Sequence, residues 1–327
     1  MIVVIEKTVN FRRGTFVAIV RSNERICDEH YRLRMALPEF PPSRPGQFIQ
    51  LQCRPVSEQP GARELSWPAG QWLRLSQSEL ADREPMLRRP ISLAGRRDLH
   101  PGHGGGPVEL EIIYRTIGAG TRWLAGAKEG QELSVMGPLG NGFAIRPQKP
   151  LAVLVGGGVG IPPMLYLAGE LARAGKKVYA FSGVRSVNLL PLKLICCGTV
   201  SREGRPAACV EEFARCGAGA AIATDDGSLG YEGFVSNAFR DWVLETKPWM
   251  DDLAVYSCGP EAMMKAVADV CLAEGIDCQL ALERHMACGV GACQSCVVKI
   301  RDSSQRGWSF KLCCSDGPVF DARDVLW

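Results

Sequence analysis

Apolar positions change their rhythm near residue 148. Before it, short runs rich in Val, Ile, Leu and Phe are broken about every ten residues by Gly and Pro, as in antiparallel sandwiches and barrels. Phe16–Val20, Gln47–Gln52, Pro90–Ala94, Val108–Tyr114 and Gln131–Val135 are the predicted strands. Residues 54–86 interrupt them with a polar, Pro-containing segment that reads as an inserted surface loop. After 148, strand and helix alternate. Leu151–Val155 is a continuous apolar run ending in glycines, which fits a parallel strand buried on both faces. Met164, Leu165, Leu167, Ala168 and Leu171 follow at helical spacing, and Gly175 ends that helix. Lys177–Gly183, Ala220–Thr224, Leu253–Ser257 and Gln279–Leu282 read as further strands, with helices near 232–246 and 260–274. This alternation predicts a parallel α/β sheet whose ligands sit at the carboxyl ends of its strands.

From about 284 the pattern stops. The tail has too few apolar residues for a core of its own, so something other than burial must order it. The expected division is 1–147, 148–283 and 284–327.

The 327 residues suffice for two domains of ordinary size. The formal net charge of +3 is small and its basic residues are scattered, which argues against nucleic-acid binding. No apolar run approaches the ~18–20 residues that span a bilayer, and the N-terminus carries no secretory pattern. A cytoplasmic protein with no membrane attachment is expected.

Fourteen cysteines then need a reason, since a reducing compartment disfavours a disulfide framework. Nine are dispersed and, Cys258 apart, read as small buried apolar residues. The other five, Cys288, Cys293, Cys296, Cys313 and Cys314, crowd into the last 40 residues. Cys288-x4-Cys293-x2-Cys296 with a distant fourth cysteine is the plant-type [2Fe-2S] spacing. Two irons bridged by sulfide need four thiolates from a chain wrapped tightly round them. Gly289 and Gly291 permit the backbone angles this demands. Zinc also accepts four thiolates, but a zinc ribbon shows two close pairs and only Cys293–Cys296 has that spacing. Spacing alone leaves Cys313 and Cys314 equivalent as the fourth ligand.

Gly156-Gly157-Gly158-Val159-Gly160 closes an apolar strand and opens a helix, where a pyrophosphate can approach the backbone and rest on the helix N-terminus. It is not a phosphate loop of the Gly-Lys-Ser/Thr kind. Cys258-Gly259-Pro260 repeats the geometry at a later strand end and would face the same cleft. In the first domain, Arg89-Pro90-Ile91-Ser92 offers a guanidinium for a pyrophosphate and a hydroxyl for a flavin ring nitrogen. Ile113-Tyr114-Arg115 and Gly120-Thr121 follow, the latter able to supply donors to the same phosphates.

Taken in order, Arg-Pro-Ile-Ser, Gly-Pro-Leu-Gly-Asn-Gly-Phe (137–143), the glycine turn, Thr-Asp-Asp-Gly-Ser (224–228), Cys-Gly-Pro and the cysteine tail resemble the ferredoxin reductase superfamily. Within it, they are similar to the electron-transfer subunits of dihydroorotate dehydrogenase B. The most specific stretches are 282–296 and 314–320, and only 54–86 and 96–106 fall outside the likeness. The resemblance implies a six-stranded antiparallel flavin-binding barrel, a Rossmann-like nucleotide domain and a C-terminal cluster segment. It implies FAD on Arg89–Ser92, Ile113–Arg115 and Gly120-Thr121, and NAD(H) on Gly156–Gly160 and Cys258–Pro260. Ser92 and Cys258 would shape the hydride site. Counting back from Asp316-Gly-Pro, it makes Cys314 the fourth ligand beside Cys288, Cys293 and Cys296. The implied partner is an FMN-containing catalytic subunit, in a heterotetramer, that oxidises dihydroorotate in pyrimidine biosynthesis. Two departures stand out: the inserted loop, and Arg185 where an acidic residue would bind the ribose 2′-hydroxyl, which leaves NADH and NADPH both open. The competing readings are a reductase subunit serving a hydrogenase or sulfur reductase, and a non-enzymatic binding module with a zinc tail.

Overall fold

In a computed structural model of the chain, residues 13–57, 87–99, 106–196, 198–246 and 251–327 are described. Most of the expected insertion, 58–86, lies outside the described residues, as does Cys197.

Strands β1 (Gly14–Cys27), β2 (His30–Leu37), β3 (Phe48–Leu51), β4 (Arg89–Ser92), β5 (Gly95–Asp98), β6 (Val108–Arg115) and β7 (Glu132–Leu139) form one antiparallel sheet in the order β4-β3-β7-β1-β2-β6-β5. β4 and β5 stand at opposite ends of that order, yet only Leu93 and Ala94 separate them. Leu93 N donates to Gln47 O and Ala94 N to Glu111 O, so the chain passes from one edge to the other and closes the sheet. With β4 and β5 taken as one bent strand, this is the expected six-stranded barrel. Alternate residues fill it, among them Leu33, Met35 and Leu37 of β2 and Leu110 and Ile112 of β6. β2 is absent from the predicted strands. Arg32 and Arg34 interleave its apolar residues and pair outward with Glu212 and Glu111, so it shows no apolar run. Helix α1 (Ala119–Ala125) links β6 to β7, and Asn23 Nδ2 binds the Leu124 and Ala127 carbonyls behind it.

The second sheet contains β8 (Leu151–Gly157), β9 (Lys177–Val184), β10 (Gly219–Thr224), β11 (Tyr231–Glu232), β12 (Leu253–Cys258) and β13 (Asp277–Ala281). Its parallel order, β11-β10-β9-β8-β12-β13, turns back at β8. Helices α2 (Ile161–Arg173) and α3 (Glu211–Ala214) cover one face through Leu154, Met164, Leu167 and Phe213. Helices α4 (Val235–Glu245) and α5 (Glu261–Ala273) cover the other through Val153, Val155, Phe239 and Val267. No helix among the described residues is long and apolar enough to cross a membrane.

The tail contributes β14 (Val297–Arg301), β15 (Trp308–Leu312) and β17 (Val325–Leu326) as a small antiparallel sheet. β16 (Val319–Asp321) instead joins β13 as an antiparallel edge strand of the parallel sheet. Val298, Ile300, Cys296 and Cys314 are buried in the same core as α4 and α5, so the tail has no separate core. A second anchor ties it to the barrel. Asn141 Nδ2 donates to the carbonyls of Asp316 (3.0 Å) and Val319 (2.8 Å), while its Oδ1 accepts from Val319 N (2.8 Å). The Gly-Pro-Leu-Gly-Asn motif is thus a clamp for the chain just beyond the cysteines. Asn141→Ala removes all three bonds and leaves the buried Val319 without them. It should cost about 1–3 kcal/mol, read as a lower midpoint in chemical unfolding.

Candidate functional site

Two of the tail cysteines meet across a short loop. Cys288 Sγ accepts the backbone N–H groups of Val290 (3.4 Å) and Cys293 (3.3 Å). Gly289 (φ 69°) and Gly291 (φ 87°) adopt the left-handed conformation that lets the loop fold back on this sulfur. Cys293 Sγ lies 3.2 Å from Ser295 Oγ, and hydrogen bonding from Ser295, then from Cys288, lowers the Cys293 thiol to about 6. Cys296 and Cys314 form a second, buried pair. Desolvation, with the hydrogen bond to Cys296 behind it, pushes the Cys314 thiol up to about 11. Cys288 also acts on Cys314 electrostatically, so the two pairs adjoin. Cys313 is buried too: its N donates to Cys296 O (3.0 Å), and burial, then the charges of Cys296 and Cys314, push its thiol up to about 12.

Among the described residues no three His, Cys, Asp or Glu side chains converge as a single metal ion requires. Two thiol pairs fit a dinuclear cluster, in which each iron takes two protein sulfurs. The donor set is soft and low-pKa at its exposed end, as metal-bound thiolates need.

The cysteine loop lies against the barrel. A Cβ on Gly289 would overlap Gln50 Nε2 and would have to displace that amide, and the φ of 69° itself favours glycine here. Gln50 pairs with Pro90 across β3–β4 and Phe48 with Ser92, which puts Ser92, Pro90 and Gln50 on one outward face. Arg89 points the other way, towards α1. A Cβ on Gly120 would stand 2.9 Å from Arg89 Nε, and Arg89 Nη1 donates to Leu87 O (2.8 Å). A guanidinium held beside a glycine at the start of α1, with a Ser hydroxyl round the strand edge, fits the phosphate and ring ends of a flavin nucleotide.

A cavity of about 740 Å³ opens at the carboxyl ends of the parallel strands. Gly157, Gly158, Arg185, Asp225 and Pro260 line it, and Arg115 reaches it from the barrel. Gly158 (φ 53°) has open space where a side chain would stand, so a ligand can approach its backbone. Arg115 is held by Glu29 through a 2.7 Å hydrogen bond from Nε. Desolvation raises the Asp225 carboxyl and the Arg185 charge opposes it. The volume and the glycine floor fit a nucleotide at the sheet's switch point.

Several predicted residues stand elsewhere. Tyr114 lies inside the barrel, stacked on Tyr31, its hydroxyl donating to Asn23 Oδ1 (3.0 Å). Ile113 is buried on the opposite face of β6. Thr121 Oγ1 closes its own turn, accepting from Ile117 N and Gly118 N. Gly160 and Gly156 serve packing: a Cβ on Gly160 would overlap the Cys258 carbonyl, and one on Gly156 would stand 3.0 Å from Ile161 Cα. Burial pushes the half-buried Cys258 thiol up to about 12, with Glu283 adding to it. Gln50, Arg88 and Glu283 carried no sequence signal. Arg88 braces the barrel by donating to Ser134 Oγ (2.7 Å) and Ser134 O (2.9 Å).

An antiparallel barrel joined to a parallel sheet with a switch-point cavity is a ferredoxin reductase-like fold. The structure of an NADH-dependent reduced ferredoxin–NADP oxidoreductase matches at TM-score 0.64 and 24% identity, over 96% of this chain and 91% of that one. The flavohaem-like FAD/NAD-binding domain of a nitric oxide dioxygenase from Vibrio cholerae matches at TM-score 0.54 and 18% identity, over 81% and 95%. Residues 283–326 match the iron–sulfur cluster binding domain of dihydroorotate dehydrogenase B. The dihydroorotate dehydrogenase B (NAD(+)) electron transfer subunit of Caldanaerobacter subterraneus is 31% identical over 96% of this chain and all of its own length. That of Geobacillus kaustophilus is 38% identical over 81% of this chain and 88% of its own. The chain belongs to this family of dihydroorotate dehydrogenase B electron-transfer subunits. The family favours neither a hydrogenase or sulfur reductase subunit nor a zinc-tailed binding module.

Cys314→Ala should abolish visible absorbance from the cluster and its iron, while Cys313→Ala should keep both. Iron analysis of the two purified variants checks this, and the reverse result would exchange their roles.

Proposed function

We propose that this chain carries electrons from a dihydroorotate-oxidising partner to NAD⁺, through a [2Fe-2S] cluster on Cys288, Cys293, Cys296 and Cys314 and an FAD on the barrel. The partner is an FMN-containing catalytic subunit, assembled with this chain as a heterotetramer, and the pathway is pyrimidine biosynthesis. Residues 1–147 form the flavin domain, 148–283 the nucleotide domain and 284–327 the cluster segment. The packing of Gly289 on Gln50, whose strand face also carries Pro90 and Ser92, supports the reading, because a cluster on the cysteine loop would then lie beside a flavin held on that face.

When bound, flavin exchanges single electrons with the cluster and a hydride with nicotinamide. The chain supplies holding and shielding. Arg89 offers its fork of donors to the flavin pyrophosphate, Ser92 presents a hydroxyl to the ring, and Gly157 and Gly158 admit the nicotinamide nucleotide's phosphates. Burial raises the Cys258 thiol to about 12, which argues against a role as base or nucleophile, and at this strand end Pro260 rather than Cys258 lines the cavity.

Co-purification with the catalytic partner tests the reading. A complex holding FAD, FMN and iron, active in NAD⁺-dependent dihydroorotate oxidation, is the expected result. Flavin and iron with another partner and no such activity would refute it. Arg185 should also favour a 2′-phosphate. Arg185→Ala should lower the NADPH-to-NADH ratio of kcat/KM about tenfold, the loss of one charge-assisted hydrogen bond of ~1.5 kcal/mol. Steady-state diaphorase assays with both nucleotides would measure it.

A further inference from the structure

Gln50 is fully buried, yet neither Nε2 nor Oε1 has a hydrogen-bond partner. Buried amides are otherwise almost always satisfied. Its neighbours explain neither gap: Pro90, opposite it on β4, has no N–H to give, and Met136, opposite it on β7, offers no polar side chain. The Nε2 end abuts Gly289, next to Cys288, and the side chain shares its face with Ser92. An unmet donor therefore faces the cysteine loop from the surface expected to hold flavin.

We infer that Gln50 is a positioning residue joining the two redox centres, its Nε2 donating to the cluster's sulfur at the Cys288 end. This rests on the cluster and flavin assignments of the proposed function. A donor to cluster sulfur offsets the negative charge gained on reduction, so it raises the cluster's potential. The amide also fixes the distance between the cysteine loop and β3, since Gly289 packs directly on it.

The test uses the full chain with its cofactors: wild type, Gln50→Leu and Gln50→Asn, each assayed for iron and FAD and titrated by EPR-monitored redox titration. Gln50→Leu should keep both cofactors and make reduction of the cluster about tenfold less favourable, a drop of about 59 mV for one electron. Gln50→Asn, which retains a carboxamide, should recover part of that drop. An unchanged potential in a fully loaded Gln50→Leu overturns the inference and leaves the functional reading standing. A wild-type chain that takes up neither iron nor FAD overturns both. Should Gln50→Leu fail to fold, pulsed EPR of wild type labelled with side-chain ¹⁵N glutamine decides. A nitrogen coupling to the reduced cluster supports the inference, and its absence refutes it.

Discussion

The structure depends on one close approach. The cysteine loop packs onto the side chain of Gln50 on strand β3, so that a Cβ on Gly289 would overlap the buried glutamine amide. A loop of this kind has little apolar surface, so it borrows its order from others. Cys296 and Cys314 sink into the core beneath α4 and α5, β16 extends the parallel sheet, and Asn141 grips the chain at Asp316–Val319. Cluster segment, barrel and nucleotide sheet are therefore locked together at the place where electrons would cross.

Around that contact, the fold places its openings by the ordinary rules of sheets. The parallel strands reverse their order at β8, which leaves a crevice at their carboxyl ends. Glycines hold the crevice open in two ways. Gly158 leaves room for a ligand, whereas Gly160 lets the β12 strand end come close. The barrel closes through the bend at Leu93–Ala94, which carries Ser92 onto the outer surface while Leu93 stays inside.

Much of this was legible in the residues. Strand–helix alternation marked β8, β9, β10, β12 and β13, though not the two-residue β11, and the cysteine spacing marked the metal centre. What escaped were features made by contact. β2 alternates arginine with leucine and methionine, so it shows no apolar run, and its arginines find their acidic partners only in three dimensions. Gln50 looks like any polar residue in a strand until the tail folds over it. Thr121 and Tyr114 lay in suggestive stretches, but a turn and a barrel interior claim their hydroxyls. Residue type announced the chemistry, and burial decided which copy of each type was free to perform it.

Electron passage between flavin and cluster can be watched by anaerobic rapid mixing of the cofactor-loaded chain with NADH, followed by absorbance and freeze-quench EPR. Flavin should bleach first, and the [2Fe-2S] EPR signal should then grow within the same turnover. Flavin reduced by NADH beside a cluster that stays oxidised, although dithionite reduces it, would contradict an electron path between the two centres.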